Sequence, residues 1–205
     1  EGTGSATTVT HNLGVAPEMM WVKQRNITQS WNVYHQGMDA SAPQDYYMQI
    51  DSSGASSDNS NRWNDTAPTS SVFTIGTAAS VNGSGGDFIA YLFATVAGVS
   101  KVGSYTGNGG SANSNGTNQD IDCGFTAGAR FVIIKSSSDT GDWFVYDTER
   151  GIVAGNDAYV KLNVTDAQQS NIDSIDPLNS GFSVRQDGTN NLNVTSREYI
   201  FYAIA

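Results

Sequence analysis

The chain has 205 residues, of which 38% are hydrophobic and only 15% charged; 20 acidic against 10 basic residues give a formal net charge of −10. That apolar content supports a buried core, in one domain or in two halves, and excludes a disordered chain. The acidic excess argues against nucleic acid and anionic membrane as main partners, because both demand a basic surface, and no apolar run approaches the ~20 residues that span a bilayer.

No stretch of useful length carries a 3.6-residue apolar period, whereas strand signals recur along the chain. Gly2-Thr3-Gly4 reads as the tail of a strand followed by a glycine turn, and the expectation is that the polypeptide is longer than this sequence. Residues 18–24 are apolar on both faces (Met19 and Trp21 against Met20 and Val22), the pattern of a central strand. A short linker predicts a hairpin from there to Trp31-Asn32-Val33-Tyr34. Further strands are predicted at 46–51, 72–75 and 87–94, with a Ser/Asn/Asp/Gly loop at 51–61. A strand at 101–105 leads into the loop 107–118, built almost wholly of Gly, Ser, Asn and Thr. A second two-sided strand, 130–135, and its hairpin partner around Trp143-Phe144-Val145-Tyr146 follow. Strands are predicted at 159–163, 182–185, 192–195 and 198–204, and one helical turn within 165–174.

This order is the same pattern twice. Moving from Met19 to Phe131, 112 positions, also carries Leu13 to Phe125, Lys23 to Lys135, Trp31 to Trp143, Tyr34 to Tyr146 and Tyr47 to Tyr159; near the ends Ile89 and Tyr91 meet Ile200 and Tyr202 at 111. A repeat of roughly 90 residues is too long for a solenoid and about right for one small β unit. The expected fold is therefore all-β, a tandem duplication of a β-sandwich-like unit, with residues 1–97 and 98–205 as pseudo-symmetric halves. Trp31, Trp143, Tyr34 and Tyr146 recur at one register and are expected in the core.

Candidate chemistry is sparse. Asp139-Thr140-Gly141 has the letters of an aspartic-protease signature, but that chemistry needs two facing carboxylates, and the first half has Ile27-Thr28-Gln29 there. The turn reading is preferred. Asp142, Asp147 and Glu149 offer carboxylates of the type glycosidases pair, yet His35 and Gly37 replace the latter two in the first half. His11 and His35 lack neighbours at metal-ligand spacing, and Asp51, Asp58, Asn59 and Asn61 do not follow a calcium-loop spacing. The single cysteine, Cys123, excludes an internal disulfide and reads as a packing residue. No catalytic residue, metal or cofactor is expected. Aromatic side chains are the better binding elements, being flat and apolar with polar edges. Trp63 stands out because Arg62-Trp63-Asn64-Asp65-Thr66-Ala67-Pro68 has no good counterpart in the second half. Trp63, Arg62, Asp65 and Tyr105 are the binding or interface candidates.

The runs Asn12-Leu13-Gly14-Val15-Ala16-Pro17-Glu18-Met19, Trp31-Asn32-Val33-Tyr34-His35, the Trp63–Phe73 stretch and Phe88-Ile89-Ala90-Tyr91-Leu92-Phe93-Ala94 resemble a duplicated β-repeat family of marine bacteriophage tail-fibre-like and structural virion proteins. In the second half Lys101-Val102-Gly103-Ser104-Tyr105-Thr106-Gly107, Trp143 and Asp147 with Arg150-Gly151 fit as well. The resemblance covers nearly the whole chain and brings no catalytic residues. It implies a virion-surface location and a non-enzymatic module of a tail fibre or appendage, binding a host-surface glycan or protein. The alternatives are an architectural capsid-decoration or fibre-shaft domain contacting other virion proteins and, last, a glycan-degrading enzyme. A homo-oligomer is expected, because exposed edge strands invite pairing.

Overall fold

Alternating and two-sided apolar runs joined by Gly, Asn and Ser turns leave the backbone few options but antiparallel ladders. The computed structural model describes residues 1–110 and 118–205, and the fold is all-β. The chain divides into two compact units, Glu1–Ala94 and Thr95–Ala205.

The first unit contains β1 (Thr7–Thr10), β2 (Met19–Gln24), β3 (Asn32–His35), β4 (Tyr46–Gln49), β5 (Ser57–Asp58), the short helix α1 (Ser60–Trp63), β6 (Val72–Ile75), α2 (Ala79–Asn82) and β7 (Phe88–Phe93). One sheet runs β5-β4-β3-β2-β7, and β1 pairs with β6 in a second. Met20, Val22 and Tyr34 from the larger sheet join Phe73 and Ile75 from the smaller in one core, completed by Trp63 and Val81 from the helices. Helix α1 begins at an Asn59 cap, whose side chain accepts from Asn61 N, and ends at left-handed Asn64.

The second unit contains β8 (Ser100–Thr106), β9 (Gln119–Asp122), β10 (Phe131–Ser136), β11 (Phe144–Asp147), β12 (Asp157–Lys161), β13 (Gln169–Ile172), β14 (Ile175–Leu178), β15 (Gly181–Val184) and β16 (Glu198–Ile204). Its sheets run β13-β12-β11-β10-β16-β8 and β14-β15-β9. Val132, Ile134, Phe144, Tyr146, Tyr199 and Phe201 of the first pack with Ile121, Phe182 and Val184 of the second. Burial of each such side chain contributes roughly 1.5–3 kcal/mol.

Strand order recurs between the units. The order β5-β4-β3-β2-β7 matches β13-β12-β11-β10-β16, and β1-β6 matches β9-β15. Registers recur too. Met19 faces Phe93 as Phe131 faces Ile204, and Asn32 faces Gln49 as Phe144 faces Lys161. Lys23 Nζ donates to Gln24 O at 2.8 Å, and Lys135 Nζ to Ser136 O at 2.7 Å. Among the described residues β8 and β14 have no strand answering them in the first unit.

Three sequence expectations are corrected. Residues 192–195 form turns, not a strand, because side chains take their backbone groups: Val194 N donates to the Tyr199 hydroxyl at 3.1 Å, and Leu192 O accepts from the Tyr105 hydroxyl at 2.7 Å. The expected helical turn in 165–174 is replaced by β13, which pairs with β12 across a bulge; ladder bonds override the weak local helix preference of Asp166-Ala167-Gln168. The 51–61 loop holds β5 and the start of α1. Of the 107–118 loop, residues 111–117 lie outside the described residues.

Candidate functional site

Of the four binding or interface candidates, Trp63 lies inside the protein and Tyr105 is half-buried. Trp63 is 0% exposed; its Nε1 donates to Tyr46 O at 2.9 Å and its ring meets Tyr34 edge-on at 6.2 Å. A side chain so enclosed contributes to stability, and the expectation of a binding role at Trp63 is corrected. Its neighbours frame this corner. The Arg62 guanidinium sits 4.3 Å from the Tyr47 ring centre and donates to Ser80 Oγ, while Asp65 is exposed at the left-handed exit of α1 (φ 46°). Burial, then the Asp65 and Asp58 charges, raise the Asp45 carboxyl above its usual range. Tyr105 points inward from β8, stacked on Tyr199 at 4.9 Å, with its hydroxyl donating to Leu192 O at 2.7 Å. Trp63, Arg62 and Asp65 belong to the first unit and Tyr105 to the second.

Of the expected core residues, Tyr34, Tyr146 and Trp143 are buried, with burial pushing the Tyr34 phenol up to about 12. Trp31 is only half-buried, stacked on exposed Tyr91 at 6.1 Å. Cys123 is buried and free, its thiol pushed up to about 12 by desolvation, which makes it unreactive. Three of the four calcium candidates spend side-chain oxygens locally: Asp51 accepts from Trp31 N, Asn59 caps α1, and Asn61 accepts from Thr77. Among the described residues no group of three or more His, Cys, Asp or Glu is placed to hold a metal.

Polar groups converge instead at one end of the second unit, where the β10–β11 turn faces residues 187–197. A cavity of about 110 Å³ is lined by Thr140, Asp142, Asn190, Asn191 and Arg197 over a floor that includes Phe144 and Tyr199. An open groove beside it is lined by Ser138, Asp139, Thr195 and Ser196, and Arg197 borders both.

The frame is rigid. Asp187 Oδ1 accepts from the backbone N–H of Thr189 (2.6 Å), Asn190 (2.7 Å) and Asn191 (3.2 Å), and Asn190 Nδ2 donates to Ser174 Oγ (2.9 Å) and the Tyr146 hydroxyl (3.2 Å). Asp139-Thr140-Gly141 is a turn: Thr140 N donates to Asp139 Oδ1 at 2.7 Å, and Arg197 pairs with Asp139 at 2.6 Å. Those two interactions, the Thr140 bond first, hold the Asp139 carboxyl below its usual range. Burial works to raise Asp142, but hydrogen bonds from Asn163 (2.7 Å) and Lys161 (2.8 Å) outweigh it and its pKa is lowered. Asp147 pairs with Arg150, and Glu149 is exposed.

Ser196 in the groove wall has φ 62°, a left-handed conformation that costs a non-glycine residue about 1 kcal/mol. The position 111 residues earlier is Gly85 (φ 71°), and in place of Arg197 the first unit has Gly86; Ile27 and Ser30 stand for Asp139 and Asp142. The first unit thus lacks the charges of Arg197, Asp139 and Asp142 at the matching positions. Reading the sequence for motifs passed over Asn190, Asn191, Ser196 and Arg197, which share no spacing signature. The available signal was the departure of Arg197 and Ser196 from Gly86 and Gly85 within an otherwise matching pattern.

Residues 1–205 match the model of the family described as a domain of unknown function, DUF7483, and the chain belongs to that family. No curated protein and no solved structure matches it.

Proposed function

We propose that this member of the DUF7483 family is a non-enzymatic module of a phage virion surface, part of a tail fibre or similar appendage, that binds a host-surface glycan through the cleft of its second unit. The virion location rests on the sequence resemblance. The binding reading is carried by one observation: Arg197, Asn191 and Thr140 offer placed donors, and Asp142 a fixed acceptor, around a pocket whose Arg197 and Asp142 are replaced by Gly86 and Ser30 in the first unit. A few placed polar groups in a pre-formed concavity are what orients a polyhydroxylated ligand. A non-enzymatic role is preferred because both carboxylates are engaged within the protein, Asp139 with Thr140 N and Arg197 and Asp142 with Asn163 and Lys161. Recurrent strand order and register support descent of both units from one duplicated β-sandwich-like ancestor.

The test is binding of the labelled chain to marine bacterial cells and a glycan panel. Saturable binding lost in Arg197→Ala supports the reading, and binding unaffected by Arg197→Ala moves the site elsewhere. Absence of binding at every salt and calcium concentration sinks the adhesin and leaves an architectural module contacting other virion proteins. Turnover of a glycan, lost in Asp142→Asn or Asp147→Asn, revives the enzyme.

A further inference from the structure

The two large sheets differ at one edge. In the second unit β16 pairs with β10 on one side and β8 on the other, with Tyr199 opposite Tyr105, Phe201 opposite Gly103 and Ala203 opposite Lys101. In the first unit β7, at the position of β16, pairs with β2 alone among the described strands. Arg25 N donates to Asp87 O, so by antiparallel alternation Ile89, Tyr91 and Phe93 turn their backbone toward β2. Phe88, Ala90 and Leu92 turn theirs to the open edge.

The core is open at the same place. A cavity of about 150 Å³ lies among Val9, Val22, Phe73, Ile75, Phe88 and Ala90. At the matching positions of the second unit Tyr199 and Phe201 are buried, with the Tyr105 ring packed on both. Ala90 is exposed and Phe88 half-buried. Phe201 fills its space so fully that a Cβ on Gly103 would lie 2.4 Å from its ring. Ala90 carries no such ring, so a strand crossing here has room for a large inward side chain.

The occupant is indicated by hydrogen bonds. Gly2 N donates to Gly86 O and Gly4 N to Asn82 O; 111 residues after each acceptor, Gly107 N donates to Arg197 O and Gly109 N to Asn193 O. Gly4 and Gly109 share a left-handed φ, 73° and 75°. The segment at Gly2 thus stands where the chain stands on leaving β8.

We propose that the open edge of β7 is an acceptor for a six-residue antiparallel strand of the same polypeptide, joined to Glu1 and lying as Ser100–Tyr105 lies on β16. It carries an aromatic residue opposite Phe88 and a bulky apolar one opposite Ala90. This strand would close the cavity and pair the free N–H and C=O groups, an edge that otherwise invites aggregation.

The test compares the 205-residue chain with two versions extended before Glu1. One carries the Ser100–Tyr105 sequence with leucine in the Gly103 position; the other carries proline and serine in the two inward positions. The readouts are amide exchange at Phe88, Ala90 and Leu92 and molar mass by light scattering. The expected result is slowing of all three amides by roughly a hundredfold in the first extension only, with the mass of a monomer and the thermal midpoint raised. Exchange unchanged by the first extension, or slowed equally by both, overturns the proposal. Protection already present in the unextended chain together with a dimer mass assigns the edge to a second copy and overturns it as well.

Discussion

Asn82 and Asn193 do the same work in their two units. Each is fully buried, and each backbone carbonyl accepts from a left-handed glycine, Gly4 at 2.8 Å and Gly109 at 2.9 Å. Each side-chain Oδ1 accepts from the preceding residue's N–H, Thr3 at 2.8 Å and Asn108 at 2.9 Å. Each Nδ2 donates to main-chain carbonyls: Ser5 and Gly76 for Asn82, Gly110 for Asn193. Only an amide both accepts and donates in this geometry. Asn82→Ala and Asn193→Ala strand several buried backbone groups, and each is expected to lower stability by about 2–4 kcal/mol. Urea denaturation measures this; a loss below about 0.5 kcal/mol would mean that water replaces the amide.

Trp63 is expected to behave as a core residue. Trp63→Ala should cost about 3–5 kcal/mol by cavity formation. The protein that remains folded should bind cells or glycans as the unmodified chain does. Weakened binding at full stability would return Trp63 to the functional set.

Asp157 is buried against the N–H groups of Ser174 and Ile175 (3.1 Å each) and Val153 (3.2 Å). Burial outweighs these donors and pushes its pKa up to about 6, from 3.8. The native state then holds the proton more tightly than the unfolded chain. This contribution to stability is present below about pH 4 and is lost as pH rises to about 6, by about 2–3 kcal/mol. Urea denaturation of the chain and of Asp157→Asn across that range isolates the effect. Their difference should shift against the unmodified chain on raising pH; a shift the other way would mean that the three donors dominate.

Lys135 has the opposite sign. It is fully buried, and desolvation lowers its pKa to about 8 from 10.5. Between those values the unfolded chain holds more protons, so stability rises with pH. Relative to Lys135→Met, the unmodified chain should gain about 3 kcal/mol from pH 7.5 to 10.5. A flat difference would place the ammonium in a better-solvated setting.

Ser196 tests whether strain at the cleft serves binding. Ser196→Gly removes the left-handed cost and is expected to stabilise the protein by up to about 1 kcal/mol. It also removes a hydroxyl from the groove wall. Weaker glycan binding at higher stability is the expected outcome in paired melting and binding measurements. Unchanged binding would leave the strained serine without a role in recognition.

Much of the β architecture was legible because apolar alternation acts locally. Met19, Trp21 and Val22 announce β2, Phe131 to Ile134 announce β10, and turn residues mark their ends. Strands without that signal were not. Gln119-Asp120-Ile121-Asp122 is mostly polar and becomes β9 only because β15 offers it a ladder. Trp63 looked like a surface aromatic because its polar neighbours hid the one-turn helix that swings it into the core.

By itself the sequence determined the all-β class, and its single cysteine sets aside an internal disulfide; these follow from composition and from contacts close along the chain. Tertiary structure alone decided which polar residues meet. Asp142 and Arg197 lie 55 positions apart and share a cleft only after β16 has paired with β10. It likewise decided that β16 has β8 on its second side while β7 pairs with β2 alone among the described strands, because a strand's partners are set by long-range register, which no local run of residues encodes.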